Sequence, residues 1–590
     1  MPSKKNHVFL FRHCVRSTSK SVKLFHNDTD LKKTGASKYT SSPLPDWNVP
    51  DHWCTERGMQ IMKGTADYVW NHLLQTNNGH DDNTNNDESK VMNIQIVTDR
   101  SQRDVDTSFA LYDGIRSAIL NTNKNDNYSN DTKTQTQDQI YDDDNKLITT
   151  VRGLADLQYD PELFSPMKTN YCHVNLTKEE LKAEVQHRLN SFPPPSDLTD
   201  ILSILESENT KEAKDLLSST QQDGGKIETF EVITFEKDSI VEAKLSGVVN
   251  VVKLFAQMMF YSRASQIKPP FLPTISIDNV YQAVKWIYWT RSILNVENTK
   301  SAANGLVLSN IILDALQNGH YHVKGSAITP DHDYELDRSS ATFIVGHDGN
   351  INNVATALGL RWNLDAPYFS SKHENEGVAN MDANHMSLEY VPTPPGSAMH
   401  FEYDLDTNEV KLSYLYPVFP MDQDEDENEQ VPPESNYDEG YINMYDTQFQ
   451  IKTTPLIFSP TSLDNQLENM NIAIETVTTE TTTIIQPRIA GINEKTSQEK
   501  HLAIKALRQR LDETLAKYPK ASECYLKAKN ITSFYHEMEN SRVGSSPHLP
   551  IMISLAFIIF LSMMIMALKL RKKAKPNFHT VYESGDSEIL

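Results

Sequence analysis

The stretch His7–Ser17 constrains the fold of this chain more than any other part of the sequence. The apolar run Val8–Phe11 is followed at once by Arg12 and His13, and Arg16 comes three residues later. A short apolar run of this kind predicts a strand that is buried on both faces of a sheet. In open α/β sheets, ligands bind just beyond the carboxyl ends of such strands. We therefore expect these cations to line one crevice, where they suit a phosphate.

Two further apolar runs end in charged residues of the same kinds. Ala341–Gly346 is followed by His347 and Asp348, and Asn93–Thr98 leads into a segment that contains Arg103. A single basic strand end is most simply a solvated surface feature. Three strand-like runs that each end in Arg, His or Asp indicate a shared site instead.

Four segments carry a resemblance to a known family. Arg12–Thr18 resembles the RHGxRxP motif of the histidine acid phosphatases, the branch of the histidine phosphatase superfamily that includes phytases and glucose-1-phosphatases. His347–Asn350 resembles their HD motif in its HDTN form. Leu44–Gly58 is similar to the W-P-V-P…L-T-P-R-G segment, and Pro394–Glu402 to the late P-P-G-G-A-L-x-F-E strand. The order agrees, and the resemblance covers about residues 7–416.

The resemblance implies an α/β fold, in which a histidine-phosphatase-like central sheet carries an inserted helical subdomain. We expect the phosphatase domain over residues 7–420 and the helical subdomain over about 152–330. Apolar periodicity predicts that the helices of this subdomain lie at 178–190, 198–219, 239–264, 277–293 and 302–317.

The chain that follows the phosphatase domain differs in composition. Residues 421–440 contain nine Asp or Glu and no Lys or Arg, and together with the Thr-rich stretch after them they predict a linker over 421–495. An amphipathic helical segment is expected over 496–530. Residues 549–568 carry no charge, and twenty residues at ~1.5 Å each match the ~30 Å hydrocarbon core of a bilayer. They predict a C-terminal transmembrane helix, followed by a tail, 569–590, that begins with basic residues.

The charges around the predicted span bear on its orientation. Five Lys or Arg residues lie within 569–575, and the positive-inside rule then places the tail in the cytosol and the phosphatase domain on the exoplasmic or lumenal side. No signal peptide is visible in the polar residues 1–6, so either the N-terminus is incomplete in this sequence, or the protein is tail-anchored with a cytosolic domain. The sequence leaves both topologies open.

The resemblance also implies roles for the residues at the three strand ends. Four side chains would bind the phosphate oxygens: Arg12, Arg16, Arg103 and His347. His13 would attack phosphorus and form a phosphohistidine. Asp348 would protonate the departing alkoxide, so activity should favour acid pH. We expect no metal and no other cofactor, because the arginines neutralise the phosphate charge.

The chain departs from the family pattern at four positions. Cys14 replaces the motif glycine, Thr18 replaces the proline, Gly349 replaces a threonine, and Asp104 follows Arg103 where threonine is usual. Every proposed chemical group is still present. We expect that Cys14 narrows the site or makes it sensitive to thiol reagents, and that Asp104 adds negative charge near the pocket.

The chain contains only four cysteines in 590 residues. This number is too small for a disulfide scaffold, so we expect no essential disulfide framework, although one bridge is compatible with the sequence.

These observations predict an acid phosphatase that hydrolyses phosphomonoesters through a phosphohistidine intermediate. One alternative is a phytase or a sugar-phosphate phosphatase of the same family. An alternative of another class is a catalytically weak, membrane-anchored binding protein with the same fold. The net charge of −23 argues against nucleic-acid binding. The expected partners are a small phosphomonoester and, through 549–568, a lipid bilayer, while the oligomeric state stays open.

Overall fold

The computed structural model describes a defined part of the chain, which divides into two compact units, Met1–Lys529 and Asn530–Leu590. All described residues belong to the first unit: 4–18, 45–74, 92–124, 139–141, 147–152, 158–159, 161–169, 171–192, 194, 210–211, 213–215, 218, 232–237, 240–245, 248–265, 267, 277–320, 339–362, 392–418, 450–458, 474–479, 482–487 and 502–529.

In these residues the strands are β1 (Lys5–Arg12), β2 (Met92–Thr98), β3 (Gln139–Tyr141), β4 (Leu147–Arg152), β5 (Gln158–Tyr159), β6 (Val232–Lys237), β7 (Ile240–Leu245), β8 (Ser340–Gly346), β9 (Leu360–Arg361), β10 (Ala398–Asp404), β11 (Val410–Val418), β12 (Gln450–Pro455), β13 (Ile457–Phe458), β14 (Ile474–Thr479) and β15 (Thr482–Pro487). The α-helices are α1 (Glu56–Tyr68), α2 (Gln102–Lys124), α3 (Pro161–Phe164), α4 (Lys178–Ser191), α5 (Val248–Ala264), α6 (Ile277–Asn295), α7 (Thr299–Asn318), α8 (Asp348–Leu358) and α9 (Leu502–Lys517).

A mixed sheet forms the centre of the described fold. Its strands run in the order β12-β11-β10-β1-β8-β2-β4-β3, and β5 also pairs with β2. The central strands β1, β8, β2 and β4 are parallel, whereas β10, β11 and β12 are antiparallel additions beside β1. The predicted α/β class is confirmed, and the carboxyl ends of β1, β8 and β2 lie side by side.

The alternation of side chains along β1 builds an apolar layer on each face of the sheet. Val8 and Leu10 pack in the same core as residues of α7, α8 and α9. Phe9 and Phe11 point to the other face, where they pack with residues of α1 and α2. Both faces are therefore covered by helices, which explains why the strand is apolar at successive positions.

The insert between the strand segments has its own apolar core, formed by α4, α5, α6 and the β6–β7 hairpin. The predicted helix over 239–264 is wrong at its start, because Ile240–Leu245 is a strand that pairs with Val232–Lys237 and the helix begins only at Val248. The residues IVEAKL and VITFEK favour strands, since they are rich in β-branched residues that fit a pleated surface. Most of the predicted helix 198–219 lies outside the described residues.

The predicted linker over 421–495 is also wrong in part. Gln450–Pro455 pairs with β11 as an edge strand of the main sheet, and Ile457–Phe458 pairs with β9. The Thr-rich stretch contains the β14–β15 hairpin. Polar, Thr-containing sequences suit such strands, because an edge strand keeps one side in solvent.

All four cysteines are paired: Cys14 with Cys54, and Cys172 with Cys524. The expectation of a chain without a disulfide framework is therefore wrong. The expectation that Cys14 makes the site sensitive to thiol reagents is wrong as well, because its sulfur belongs to a buried disulfide. Four cysteines are few for a chain of this length, but the number of cysteines does not predict which of them lie close together in the fold.

Several predictions fall on residues that the structure does not describe. These are the acidic run 421–440, the transmembrane helix 549–568 and the tail 569–590. Within the described residues, none of the helices has the length and apolar character that crossing a membrane requires.

Candidate active site

Three neighbouring strand ends form the candidate site. β1 and β8 are parallel, with Arg12 opposite Gly346, and β2 pairs with the other edge of β8. The residues after these strands leave the sheet side by side, and the ring centroids of His13 and His347 are 5.5 Å apart. The structure brings all six predicted site residues together around this crevice: Arg12, His13, Arg16, Arg103, His347 and Asp348.

The imidazole of His13 is almost fully buried, and its orientation fixes its tautomer. Nδ1 lies 2.8 Å from the carbonyl oxygen of Cys14. Because a carbonyl can only accept, Nδ1 carries the hydrogen and Nε2 keeps its lone pair. Burial and the charges of Arg103 and Arg12 hold the pKa of His13 well below its usual range. His13 is therefore neutral and offers Nε2 as a nucleophile.

Arg12 is buried behind this imidazole and is held by two oxygen acceptors. Its Nη2 donates to the hydroxyl of Tyr261 at 2.7 Å, and its Nη1 donates to the carbonyl of Thr393. Burial alone would raise the pKa of Tyr261, but the charges of Arg12 and Arg16 lower it to about 7. These contacts hold the guanidinium in one orientation.

Arg16 lies over the ring of the same tyrosine. Its guanidinium carbon lies 5.8 Å from the ring centroid of Tyr261, and its Nη1 donates to the carbonyl of Ser17 at 3.0 Å. The same Nη1 is 2.5 Å from Nδ1 of His52, whose pKa burial and Arg16 lower to about 3. His52 is therefore neutral and can accept a hydrogen bond from the arginine. The sequence reasoning missed this residue.

His347 lies at the N-terminus of α8 and is surrounded by charged groups. Its Nε2 is 3.3 Å from Oδ2 of Asp99 and 3.5 Å from Nη2 of Arg103, while its Nδ1 is 3.3 Å from Oδ1 of Asp104. Burial alone would lower the pKa of His347, but Asp104 and Asp99 outweigh burial and raise the pKa to about 9. His347 is therefore a cation, unlike His13. The side-chain oxygen of Asn350 accepts a hydrogen bond from the backbone N–H of His347 at 2.8 Å and fixes the turn into the helix.

Asp348 is the first residue of α8 and forms an ion pair with the helical subdomain. Its Oδ2 lies 2.8 Å from Nη1 of Arg291 on α6. Burial alone would raise the pKa of Asp348, but Arg291 and Arg12 hold it well below its usual range. The carboxylate keeps 24% of its side-chain surface exposed, so it can reach a substrate.

One face of α5 contributes further polar groups that the sequence reasoning missed. Lys253, Gln257 and Tyr261 are spaced four residues apart, so they share one side of the helix. Gln257 donates to the hydroxyl of Tyr261 at 3.1 Å. Burial and Arg291 lower the pKa of Lys253 to about 8, and Asp348 acts in the opposite direction. Polar residues at helical spacing in an otherwise apolar helix were the signal that could have revealed this polar face of α5.

The Cys14–Cys54 disulfide joins the loop after β1 to the segment that begins α1. The backbone N–H of Cys14 donates to Oγ1 of Thr107 on α2 at 2.9 Å. Thr55 follows Cys54 and is the N-cap of α1, where its side chain accepts from the backbone of Gly58. The bridge therefore ties the residue next to His13 to the start of α1, and the hydrogen bond to Thr107 ties the same residue to α2.

Among the described residues, two groups of side chains bring potential metal ligands within 4.8 Å of one another. The first group is Asp99, Asp104 and His347, and the second is His7, His400 and Glu402. In the first, His347 is charged, whereas a metal ligand must offer a lone pair. In the second, Glu402 already accepts from Nζ of Lys5 at 2.8 Å. The first group fits an ion-pair cluster better than a metal site, and in the second group Nδ1 of His7 already contacts Nε2 of His400 at 3.1 Å.

The chain matches one protein family over most of its length. The family model described as Histidine phosphatase superfamily (branch 2) matches residues 5–414. The chain therefore belongs to branch 2 of the histidine phosphatase superfamily. A comparison with curated proteins finds no match.

Solved structures that resemble this chain include two phytases and one phosphatase. A phytase from Hafnia alvei, in complex with tartrate, is 19% identical, with a TM-score of 0.45 over 70% of this chain and 85% of that one. A phytase from Citrobacter braakii is 14% identical, with a TM-score of 0.47 over 88% and 99%. A multiple inositol polyphosphate phosphatase from Bifidobacterium longum is 13% identical, with a TM-score of 0.35 over 69% and 85%.

Proposed function

We propose that this chain is an acid phosphatase that hydrolyses phosphomonoesters, with His13 as the nucleophile and Asp348 as the general acid. The observation that carries the proposal is the contrast between two neighbouring imidazoles. His13 is neutral with its lone pair on Nε2, whereas His347, 5.5 Å away, is a cation. A phosphoryl group between them meets a nucleophile on one side and positive charge on the other. Phosphoryl transfer requires both.

In the first step, the phosphate oxygens bind the cations that surround His13. At ~4 Å and an effective dielectric of ~20, each cation attracts one phosphate charge by ~4 kcal/mol. Nε2 of His13 attacks phosphorus, and the bond from phosphorus to the leaving oxygen breaks. The Nδ1–H of His13 stays on the carbonyl of Cys14, which keeps the ring aimed at phosphorus.

The leaving alkoxide takes its proton from Asp348. Arg291 and Arg12 favour the ionised carboxylate, so protonation needs a change in the local charge. The bound phosphate supplies this change, because its negative charges lie beside the same arginines and raise the pKa of the carboxyl. Low pH adds to the effect, so we expect an acid optimum. In the second step, the Asp348 carboxylate accepts a proton from water, the water oxygen attacks phosphorus, and the bond from phosphorus to Nε2 of His13 breaks, which releases inorganic phosphate and returns the neutral imidazole.

Phosphate release from p-nitrophenyl phosphate tests the proposal at about pH 5 and pH 7. We expect turnover at the lower pH and its loss, by at least 100-fold, in His13→Ala. His187→Ala is the matched control, because His187 is exposed on α4, away from the site residues, and this variant should keep full activity. Absence of turnover at every pH, with normal folding, would favour the alternative, a binding protein with the same fold.

A second candidate is a phosphatase for substrates with several phosphates, such as a phytase. The observation that favours it is the cationic wall on the leaving-group side of Asp348, where Arg291 forms an ion pair and Lys253 is close enough to influence the carboxyl. A leaving group that carries its own phosphate would gain from these charges. Comparison of inositol hexakisphosphate, glucose 1-phosphate and p-nitrophenyl phosphate decides between the candidates. Selective loss of the first substrate in Lys253→Met would favour the phytase.

We further propose that residues 549–568 anchor the chain in a membrane and that the phosphatase domain faces the exoplasmic or lumenal side. The uncharged run and the basic residues after it support the anchor and its orientation. The two disulfides support an oxidising compartment for the domain. Protease treatment of intact vesicles tests this topology. Protection of the domain with loss of a C-terminal epitope is expected, and digestion of the domain would indicate the cytosolic, tail-anchored alternative.

A further inference from the structure

We propose that Asp104 is a positioning residue of the phosphate site: its buried carboxylate holds the ring of His347 through Nδ1 and keeps a positive charge on it while phosphate is bound. This inference rests on the proposed function, since it concerns how the same site binds a phosphoryl group. Asp104 stands in the first turn of α2, directly after Arg103. Its side chain is completely buried.

A buried carboxylate needs compensation by a nearby cation or by hydrogen bonds. Oδ2 of Asp104 accepts from the hydroxyl of Ser101. Oδ1 lies 3.3 Å from Nδ1 of His347, which is an ion-pair contact, and neither of these two buried atoms has a hydrogen-bond partner among the described residues. The imidazolium of His347 is therefore the cation that makes this buried charge acceptable, and the dependence is mutual.

Other charged or titratable groups also face His347, from every element that meets it. They are Asp99 after β2, Arg103 on α2, His13 after β1 and Asp348 on α8. Arg103 is the positive group among them and disfavours the imidazolium, whereas His13 is neutral. The charge on His347 therefore depends on its contacting carboxylates, Asp99 and Asp104.

These two carboxylates differ in what happens to them when a phosphate binds. Asp99 lies against Nε2, the nitrogen that also faces Arg103. A phosphate between Arg103 and His347 would compete with Asp99 for that nitrogen. Asp104 lies against Nδ1, on the opposite edge of the ring, and is closed off from solvent. Asp104 is thus the carboxylate that stays in contact with Nδ1 once phosphate occupies the crevice, and it keeps His347 positively charged.

Two variants separate the charge of Asp104 from its role as an acceptor. Asp104→Asn keeps an oxygen near Nδ1 but loses the charge, whereas Asp104→Val loses both. Asp113→Asn is the matched control, because Asp113 lies on the same helix, is half exposed and pairs with Lys63 at 3.1 Å. The control removes the same charge without contact to His347.

The measurement is the dissociation constant of inorganic phosphate for the full chain at about pH 5 and about pH 8. At each pH, the dissociation constant of the variant is divided by that of the wild type. The ratio cancels the ionisation of phosphate itself. For Asp104→Asn we expect a ratio within about twofold of one at pH 5, where an ordinary imidazole is protonated, and about tenfold weaker binding at pH 8. Asp104→Val should weaken binding at both pH values, and Asp113→Asn at neither.

An equal ratio at both pH values for Asp104→Asn would mean a merely structural role and would overturn the proposal. Binding without turnover distinguishes the two claims: if the protein binds phosphate with the expected ratios but hydrolyses no ester, the proposed function fails and this inference stands. Should the variants not fold, the NMR titration of the His347 ring in the wild type, assigned through His347→Gln, gives the answer. A midpoint above about 8 supports the proposal, and a midpoint below about 7 contradicts it.

Discussion

Replacement of Arg291 by methionine removes the cation that contacts the proposed general acid. The Nη1 atom of Arg291 lies 2.8 Å from Oδ2 of Asp348, and only 11% of the Arg291 side chain is exposed. Methionine keeps much of the length of the arginine stem, so the helical subdomain should pack as before. The variant should raise the pKa of Asp348, because it removes the nearest positive charge that favours the ionised form.

The size of the effect follows from the geometry. Two unit charges ~4 Å apart interact by ~4 kcal/mol at an effective dielectric of ~20, which corresponds to about three pKa units. Asp348 is 24% exposed, and Lys253 and Arg12 remain nearby, so solvent and the other cations reduce the change. We therefore expect the pKa of Asp348 to rise by about one to two units.

The assay is the pH dependence of kcat for an alkyl phosphate, whose poor leaving group needs a proton, because kcat reports the pKa values of the enzyme with substrate bound. The rate falls as Asp348 loses its proton, so the basic limb of the profile should move up by about one to two pH units in Arg291→Met. With p-nitrophenyl phosphate the shift should be small, because a good leaving group hardly needs protonation. Lys244→Met is the control, because Lys244 is an exposed cation on the β6–β7 hairpin. An unchanged basic limb for the alkyl phosphate would refute the role of Asp348 as general acid.

Two further predictions concern stability. The double variant Cys14→Ser, Cys54→Ser opens a loop with a sequence separation of 40. It should lower the free energy of unfolding, measured by urea titration, by up to about 4 kcal/mol. A loss below about 1 kcal/mol would show that the bridge constrains the unfolded chain only slightly. His7 is buried, and burial lowers its pKa from 6.5 to about 4, so the unfolded chain binds a proton between these pH values that the folded chain does not. The free energy of unfolding should therefore fall by about 3 kcal/mol as pH decreases from 6.5 to 4. The variant His7→Phe, whose ring can stack on Phe9, should lose this part of the pH dependence. An identical acid dependence of the unfolding free energy in both proteins would contradict this role of His7.

The sequence was most informative where a short segment determines its own environment. The run Val8–Phe11 requires burial on both faces, and a cation directly after it must leave the sheet at the carboxyl end. The same reasoning applies to Ala341–Gly346 and its His347. For this reason the sheet and the grouping of the three strand ends could be predicted from local patterns and motif order.

What was missed depends on contacts between distant parts of the chain. Arg291 meets Asp348, and Tyr261 meets Arg12, only because the helical subdomain folds over the ends of the strands. Neither pair has a local signature. Cys14 was treated as a departure from the motif without a partner, whereas it forms a disulfide with Cys54.

Strand boundaries were missed for a different reason. Apolar residues in Ile240–Leu245 fit a helical pattern that continues into α5, although the strand ends at Leu245 and the helix begins at Val248. Gln450–Pro455 is polar, and its place at the edge of the sheet comes from pairing with β11 rather than from a buried pattern of its own. Tertiary pairing overrides local preference in both segments.

Covalent trapping shows directly whether His13 carries the phosphoryl group during turnover. The full chain is mixed rapidly with a radiolabelled phosphomonoester at about pH 5, quenched in alkali, digested and analysed for labelled peptides. Our account predicts label that is stable in alkali and labile in acid, as for a phosphohistidine, on the peptide that contains His13 and absent from His13→Ala. Label on another residue would contradict the role of His13. Turnover in the wild type would also contradict it if neither the wild type nor Asp348→Asn accumulates any label.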